Sequence, residues 1–268
     1  MLAILKNRIK IPKIASKNEV KLFFKKIGLK DLIHKSNDTN VNVNQMVLKK
    51  PYKPELNDLY RIYKFITLNK RTTVLEFGSG WSTLLMYMAL NENKKKYHNK
   101  INKLRRNNPF ELFTVDNEKK FLSLTKKKIN KYLGEQPKEI NYAFSDVEMT
   151  LYEGKYSTQY KKIPICSPDF IYLDGPDQFK IKKKNISFTT AHKDMMPMSC
   201  DILKIEYFLT PGTIIISDGR SANAQFLIEH FKRKWLHYYD IIHDQHIFYL
   251  DASSLGFLNT RQLKFYKK

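Results

Sequence analysis

The feature that most constrains the fold is the alternation of short apolar runs with helical patterns along most of the chain. The apolar runs predict buried strands at residues 73–77, 112–115, 140–144, 170–173 and 213–216. Helical patterns lie between and after them, at residues 82–90, 118–133, 202–209 and 221–235. Strands that alternate with helices are typical of a parallel sheet covered on both faces, in which ligands bind at the carboxyl ends of the strands.

Two further segments add to this sheet. Strand-like runs at 238–242 and 246–250, separated by a tight polar turn, predict an antiparallel pair after the last of these helices. Residues 94–108 are dense in Lys, Arg and Asn and are too polar to contribute to a core. We therefore expect a surface insertion between the first helix and the second strand.

The start of the chain differs from the rest. Pro51 and Pro54 interrupt any helix, which divides a basic helical extension at residues 1–50 from an α/β domain at 51–268. Residues 20–29 have the pattern of a basic amphipathic helix. Such a helix can pack on its own domain or rest on a membrane surface, and the sequence leaves peripheral membrane contact open.

The net charge and the cysteine content restrict the classes of function that the chain can have. A net charge of +22 suits a nucleic-acid partner, yet Lys and Asn are spread over the whole chain, which also fits a generally basic surface. The two cysteines, Cys166 and Cys200, do not make a disulfide framework or a zinc motif. With no apolar run long enough to span a bilayer, the expected location is the cytoplasm.

Residues 73–83 read as a strand, a glycine turn and the start of a helix. Gly78 and Gly80 allow the backbone to approach a ligand closely, as a nucleotide-like ligand requires. Thr83 stands where a dinucleotide-binding turn needs its third glycine, and no acid follows about 20 residues later. The turn therefore favours a ligand other than a dinucleotide.

This turn, with Glu76 before it, resembles the first motif of class I S-adenosylmethionine-dependent methyltransferases. Later motifs of the family have counterparts in the right order up to Arg220, and the fourth, Leu-Asp-Gly, is similar to that of the catechol O-methyltransferase-like subset. The resemblance implies a doubly wound α/β fold with a mostly parallel seven-stranded sheet, an antiparallel final strand and an N-terminal helical extension. It also implies S-adenosylmethionine as the cofactor.

The resemblance assigns a role to particular residues. Those it assigns to the cofactor are Glu76, Gly78, Ser79, Gly80, Ser82, Thr83, Asp116, Asn117, Ser145, Asp146 and Asp174. Asp116 would accept hydrogen bonds from both ribose hydroxyls, although an Asp before this helix can also serve as its N-cap. Ser145 and Asp146 would reach the adenine amino group, or they could be ordinary loop residues.

Transfer of a methyl group to a hydroxyl requires a general base or a metal near the acceptor. The resemblance implies that Asp174 and Asp218 are catalytic and could hold Mg²⁺, but Gly219 stands where the metal-dependent subset has Asn. His192 is an alternative base, or a surface histidine. Arg220 is a candidate to bind the substrate, or it forms an internal salt bridge. A substrate loop is expected at about residues 178–200.

The function expected from these residues is O-methylation of a small-molecule or glycan-type acceptor. Two alternatives stay open, an RNA methyltransferase that uses the basic surface and a non-catalytic binding module on the same fold. Against the first, the chain has no Asn-Pro-Pro-Tyr type of motif and no recognisable RNA-binding appendage.

Overall fold

A computed structural model describes residues 2–36, 53–183 and 186–267. The helices in these ranges are α1 (Leu2–Lys6), α2 (Lys17–Lys26), α3 (Lys30–Lys35), α4 (Leu56–Leu68), α5 (Trp81–Ile101), α6 (Lys119–Leu133), α7 (Asp201–Ile205), α8 (Ser221–His230) and α9 (Gly256–Lys267). The strands there are β1 (Thr73–Phe77), β2 (Glu111–Asp116), β3 (Ile140–Phe144), β4 (Val147–Tyr152), β5 (Lys155–Tyr160), β6 (Phe170–Leu173), β7 (Ile181–Lys182), β8 (Ile214–Asp218), β9 (Trp235–Asp240) and β10 (Gln245–Leu250).

The main sheet has seven strands in the order β3-β2-β1-β6-β8-β10-β9. The first five are parallel to one another, whereas β10 is antiparallel to both of its neighbours, β8 and β9. The predicted mostly parallel seven-stranded sheet with an antiparallel final strand is thus confirmed. Because the strand order reverses direction between β1 and β6, the carboxyl ends of these strands flank a crevice.

Side chains of the central strands alternate between two cores, one on each face of the sheet. Val74 belongs to one core cluster and Leu75 to the other, and Ile214 and Ile215 divide in the same way. Every residue of β1 and of β6 is buried. Burial on both faces explains why these strands are mostly apolar and were predictable from the sequence.

The N-terminal helices pack onto one face of the α/β domain. Leu5 and Phe24 are fully buried in the same core cluster as α4 and α5. The Phe23 ring also packs edge-on against the rings of Tyr60 and Tyr63, with centroids 5.0 and 4.9 Å apart. The boundary expected near residue 50, with Pro51, lies outside the described residues.

A second, three-stranded sheet in the order β5-β4-β7 follows β3 and was not predicted from the sequence. Strands β4 and β5 form a hairpin whose register pairs Tyr152 with Lys155, so only Glu153 and Gly154 lie in its turn. Both turn residues have positive φ angles, 48° and 77°, as a type I′ hairpin turn requires. The polar alternation on either side of Gly154 was the signal for this hairpin.

Two predicted helices have different ends in the structure. Helix α5 continues to Ile101, well into the expected insertion at 94–108, and buried Asn93 anchors it by donating hydrogen bonds to the carbonyls of Ile66 and Arg71. The helix expected at 221–235 ends at His230, and Trp235 begins β9 instead. Within the described residues, no helix is both long enough and apolar enough to cross a membrane.

Candidate active site

The turn from β1 into α5 is held from inside by Glu76. Its carboxylate is fully buried and accepts hydrogen bonds from the hydroxyls of Ser82 (2.6 Å) and Thr83 (2.7 Å). Thr83 Oγ1 in turn accepts a hydrogen bond from the amide of Gly80 at 3.0 Å. Burial raises the pKa of Glu76 to about 8, against the opposing effect of these hydroxyls. Ser82 and Thr83 therefore shape the turn from beneath it.

The glycine turn lies directly against the loop that follows β6. Gly78 has a φ of 96°, and its amide donates a hydrogen bond to the carbonyl of Val115 at 2.8 Å. A Cβ atom on Gly175 would lie 2.5 Å from the Gly78 nitrogen, closer than real Cβ contacts allow. Only glycine at position 175 permits this approach, which brings the exits of β1, β2 and β6 together.

Asp116, at the end of β2, faces the glycine turn. The hydroxyl of Ser79 donates a hydrogen bond of 2.7 Å to Asp116 Oδ2, and the amide of Glu118 donates one of 2.8 Å to Oδ1. The residue is 3% exposed, and burial raises its pKa to about 6 although both hydrogen bonds favour the charged form. Asp116 thus organises the start of α6 and touches the loop that precedes α5.

Asn117 binds the segment that crosses in front of β2. Its side-chain nitrogen donates hydrogen bonds to the carbonyls of Asp177 (3.0 Å) and Lys180 (3.1 Å), and its side-chain oxygen accepts one from the Asp177 amide (2.9 Å). Glu118 forms an ion pair with Lys180. We call residues 177–182 the strap. From the sequence we expect Asn117 in the cofactor site; in the structure its side-chain amide binds the strap.

The end of β3 carries the third pair of expected residues. Ser145 is buried and its hydroxyl oxygen accepts a hydrogen bond from the amide of Lys162 at 2.9 Å. Asp146 lies at the surface, where Lys182 of the strap approaches its Oδ2 to 2.7 Å. The Lys182 ammonium lowers the pKa of Asp146. Ser145 therefore stabilises the segment that follows strand β5, while Asp146 borders a cavity.

The cavity beside Asp146 has a volume of about 430 Å³ and lies at the carboxyl ends of β2 and β3. Among the side chains lining it are Asn117, Phe144, Asp146 and Phe179. The Phe144 side chain, at the end of edge strand β3, is 42% exposed. The lining also includes Glu118 and three lysines, so two aromatic rings stand among mostly polar groups, and the size suits a planar ligand such as a nucleoside base.

Asp174 follows β6 at the centre of the sheet edge. Its amide donates a hydrogen bond to the carbonyl of Phe77 at 3.0 Å, which fixes it beside the glycine turn. The residue is exposed at the surface, and nearby protein atoms still displace part of the water around its carboxylate. This partial desolvation raises its pKa; Arg220 opposes the shift and Asp218 adds to it.

Asp218, at the end of β8, has neighbours that no sequence motif predicted. The hydroxyl of Tyr172 donates a hydrogen bond of 2.6 Å to Asp218 Oδ2. Gln245 lies opposite Asp218 in the β8–β10 pairing, and its side-chain amide is 3.4 Å from Asp58 Oδ1 on α4. Burial raises the pKa of both Asp58 and Asp218, and the charge of Asp218 raises that of Asp58 further.

The two remaining candidates lie in different surroundings. Arg220 Nη2 donates a hydrogen bond of 2.7 Å to the carbonyl of Pro176, so its guanidinium bridges the loops after β8 and β6. His192 is on an exposed loop, with a 56% exposed side chain whose Nδ1 accepts a hydrogen bond from the amide of Asp194 at 3.1 Å. The structure thus brings Arg220, but not the His192 ring, into contact with the β6 exit.

The fit of Mg²⁺ depends on the oxygen ligands that the site offers. Asp174 and Asp218 supply two carboxylates, Gly219 supplies no side chain, and Asp218 Oδ2 already accepts the Tyr172 hydrogen bond. In the part of the chain that the structure describes, no group of three or more His, Cys, Asp or Glu residues could hold a metal ion. The donor set is therefore poor for a magnesium site of the catechol type.

This strand order, with its antiparallel penultimate strand and a glycine turn after β1, is that of the Rossmann-like methyltransferase fold. Searches with protein-family models and against curated proteins find no match for the chain.

Solved structures with similar folds include O-methyltransferases. The chain is 10% identical to TomG from Streptomyces achromogenes, an O-methyltransferase involved in tomaymycin synthesis and solved with SAM, with 94% of this chain and 96% of that one covered and a TM-score of 0.37. It is 12% identical to an O-methyltransferase from Bacillus cereus in complex with SAH (88% and 91% covered, TM-score 0.38). It is 10% identical to cofactor-bound Rv0187 from MTB (90% and 100% covered, TM-score 0.42).

Proposed function

We propose that the chain is an S-adenosylmethionine-dependent methyltransferase that methylates an oxygen of a small-molecule acceptor. The observation that carries the proposal is that the Gly78 turn, Asp116 and Asp174 meet at the carboxyl edge of the sheet. These residues come from three different strands, and ligands of doubly wound sheets bind at this place.

The cofactor would lie along this edge. The turn at Gly78–Gly80 allows backbone amides to approach it closely, and Asp116 offers carboxylate oxygens to the ribose diol. The cavity beside Phe144 would receive the adenine, with Asp146 as an acceptor for the amino group. Bound S-adenosylmethionine supplies a methyl carbon activated by a positively charged sulfur.

The residues at the other end of the crevice would handle the proton. As the acceptor oxygen bonds to the methyl carbon and the carbon–sulfur bond breaks, the hydroxyl proton must pass to a base. Asp218, which is partly buried, and Asp174, which is exposed but partly desolvated by its neighbours, are carboxylates with raised pKa values. A base with a pKa near the working pH is the more effective. Tyr172 orients Asp218 for this role.

The acceptor would reach these carboxylates past residues 186–200. Met195 and Met196 on this stretch are 37% and 62% exposed, and flexible apolar side chains suit an adaptable wall. A small-molecule or glycan-type acceptor with a free hydroxyl fits such a site. No step of the proposed mechanism uses a metal, because the donor set around Asp174 and Asp218 is incomplete.

The test is a calorimetric titration of the purified chain with S-adenosylmethionine and S-adenosylhomocysteine, followed by an acceptor screen in which methyl transfer is read by mass. Binding of both ligands and a mass increase of one methyl group on a hydroxyl compound are expected. Failure of both ligands to bind would contradict the proposal.

The same experiment separates the two alternatives. A non-catalytic binding module would bind the cofactor and methylate nothing. An RNA methyltransferase would transfer the methyl group to RNA, and its RNA affinity would fall steeply with salt because phosphate contacts release counterions. The net charge of +22 is compatible with that second outcome, which therefore belongs in the screen.

A further inference from the structure

Helix α6 carries positive charge that no neighbouring acid balances. Six of its 15 residues are lysines, and the helix contains no Asp or Glu. Elsewhere lysines pair with acids, as Lys94 does with Glu139 and Lys232 with Glu153. Among the described residues, none of the six lysines of α6 forms an ion pair. The six are Lys119, Lys120, Lys126, Lys127, Lys128 and Lys131.

Three of these lysines form a row on the outer side of the helix. Leu122 and Ile129 are buried and fix the side of α6 that faces the core. Lys120, Lys127 and Lys131 are exposed, and their spacing of seven and four residues places them on one face of a helix with 3.6 residues per turn. The row is about 17 Å long, at a rise of about 1.5 Å per residue. We call these three residues the lysine stripe.

Aromatic rings flank the helix on both sides. Lys126 and Lys128 are two residues apart and therefore leave α6 in nearly opposite directions. The Lys126 ammonium lies 4.8 Å from the centroid of the Tyr142 ring, and the Lys128 ammonium lies 4.6 Å from that of the Trp81 ring. Both rings are partly exposed. The surface thus combines ammonium groups with aromatic rings, the two features by which proteins bind single strands of nucleic acid.

Lys128 shows the electrostatic consequence of this composition. Burial lowers its pKa to about 8, and no described carboxylate lies close enough to oppose that shift. A phosphate bound beside α6 would favour the charged form of this lysine. An anion on this surface therefore supplies a charge that the fold itself leaves out.

The side chains of α6 distinguish among polyanions. None of the exposed large hydrophobic residues in the described ranges lies on α6, whereas a helix that binds a bilayer inserts apolar side chains into it. An acidic protein segment would match the charge alone. A single-stranded nucleic acid matches both features, since its phosphates pair with ammonium groups and its bases stack on aromatic rings.

We propose that the lysine stripe, with the rings beside it, binds a single-stranded nucleic acid. Lys120, Lys127 and Lys131 contact successive phosphates, and Tyr142 and Trp81 contact bases. This binding goes beyond the proposed methyl transfer and requires no particular methyl acceptor.

The test compares two triple variants of the full chain by fluorescence anisotropy, with a labelled oligouridylate and an oligothymidylate of the same length as probes. One variant changes the lysine stripe, and the control changes three exposed lysines of α2 that likewise have no ion pair among the described residues. Both lose the same charge, and glutamine keeps the helix propensity close to that of lysine. The variants are K120Q/K127Q/K131Q and K21Q/K25Q/K26Q.

The unmodified chain is expected to bind, and the stripe variant to bind at least about tenfold more weakly at low salt. The slope of the logarithm of affinity against the logarithm of salt concentration should fall by about 2 in the stripe variant, because each phosphate contact on a single strand contributes about 0.7. The α2 variant should keep both affinity and slope. Binding of both oligonucleotides assigns a site for either sugar, and binding of one assigns RNA or DNA.

Tryptophan fluorescence separates base contacts from charge alone. Trp81 and Trp235 are the two tryptophans of the chain, so Trp235→Phe leaves Trp81 as the reporter. The oligouridylate is expected to quench Trp81, whereas heparin, a polyanion without bases, should leave its emission unchanged.

Four results overturn the inference: no binding of either oligonucleotide, equal weakening in the two triple variants, equal quenching of Trp81 by heparin, or binding of the chain to phosphatidylglycerol vesicles in place of the oligonucleotides. Calorimetry with S-adenosylhomocysteine keeps the two proposals apart. The stripe variant should bind this ligand as the unmodified chain does, and a failure of the unmodified chain to bind it would refute only the methyltransferase.

Discussion

Gly175 and Gly78 lie backbone against backbone, and a methyl group on Gly175 would meet the nitrogen and Cα of Gly78 at 2.5 and 2.7 Å. The neighbouring atoms belong to the main chain, which cannot move aside as a flexible side chain can. This contact fixes the separation between the glycine turn and Asp174, which follow two adjacent strands. The geometry of the proposed cofactor crevice depends on it.

Gly175→Ala should therefore lower the free energy of unfolding by about 1–3 kcal/mol or more, the usual cost of overpacking. Gly80→Ala is the matched control, because the nearest atom to its added Cβ is the Ser82 hydroxyl at 3.9 Å. Chemical denaturation of both variants measures the difference. Equal stability of G175A and the unmodified chain would show that the two loops can separate without cost.

Asp116→Ala should weaken binding of S-adenosylhomocysteine by about 1–3 kcal/mol, because the ribose hydroxyls lose a charged acceptor. Ser79→Ala is the control, since it removes the 2.7 Å hydrogen bond to Asp116 and leaves the carboxylate in place. Calorimetry should show a smaller loss for S79A. An unchanged affinity of D116A would remove Asp116 from the cofactor site.

The buried carboxyl of Glu76 should make stability depend on pH. Folding raises its pKa from 4.5 to about 8, so its contribution to stability is complete below pH 4.5 and is lost as the pH rises through about 8. Glu76→Gln, which cannot ionise, should lose less stability than the unmodified chain between pH 6 and pH 9, with a difference of about 1 kcal/mol or more. Denaturation at several pH values measures this, and parallel curves would place the ionised carboxylate in the folded state.

Asn117→Ala should loosen the strap at 177–182, because three hydrogen bonds to its backbone are lost. Hydrogen exchange of the amides in this segment is expected to accelerate, while the amides of β1 and β8 stay protected. Lys119→Ala, a change at an exposed side chain two residues away, is the control. Unchanged exchange in N117A would mean that the Glu118–Lys180 ion pair suffices to hold the segment.

Titration of the S-adenosylhomocysteine-loaded protein with Mg²⁺ should give no binding that depends on Asp218. The reason is the donor set, because among the described residues no group of three or more His, Cys, Asp or Glu has a geometry that could hold a metal ion. Asp218→Asn, which keeps the shape and removes the charge, is the comparison. A calorimetric signal in the unmodified chain that D218N abolishes would establish a metal site at this edge.

The sequence predicted the sheet more closely than it predicted the site. Strands β1 and β6 have the predicted limits, because a strand buried on both faces is visible as a mostly apolar run. The hairpin of β4 and β5 was missed, since its polar alternation lacks such a run. Helix α5 extends beyond its apolar part because buried Asn93 binds two carbonyls of another segment, a tertiary contact that periodicity does not reveal.

Within the candidate site, Asp116, Asp174 and Asp218 were predictable because residues that follow parallel strands gather at one edge. Asp58 and Gln245 were not, since they are 187 positions apart and no spacing rule joins them. They are in contact because the first turn of α4 lies beside the first residue of β10 in the folded structure. The hydrogen bonds from Asn117 to the strap were likewise not predictable from the sequence, because the strap lies 60 residues downstream.

The packing of the N-terminal segment on α4 has a consequence for evolution and for engineering. Ile14 and Tyr60 line one cavity of about 140 Å³, and the Phe23 ring packs edge-on against Tyr60. Substitutions in the N-terminal helices would thus reshape this recess. Exchange of these helices would alter the surface there while the strands of the sheet stay the same.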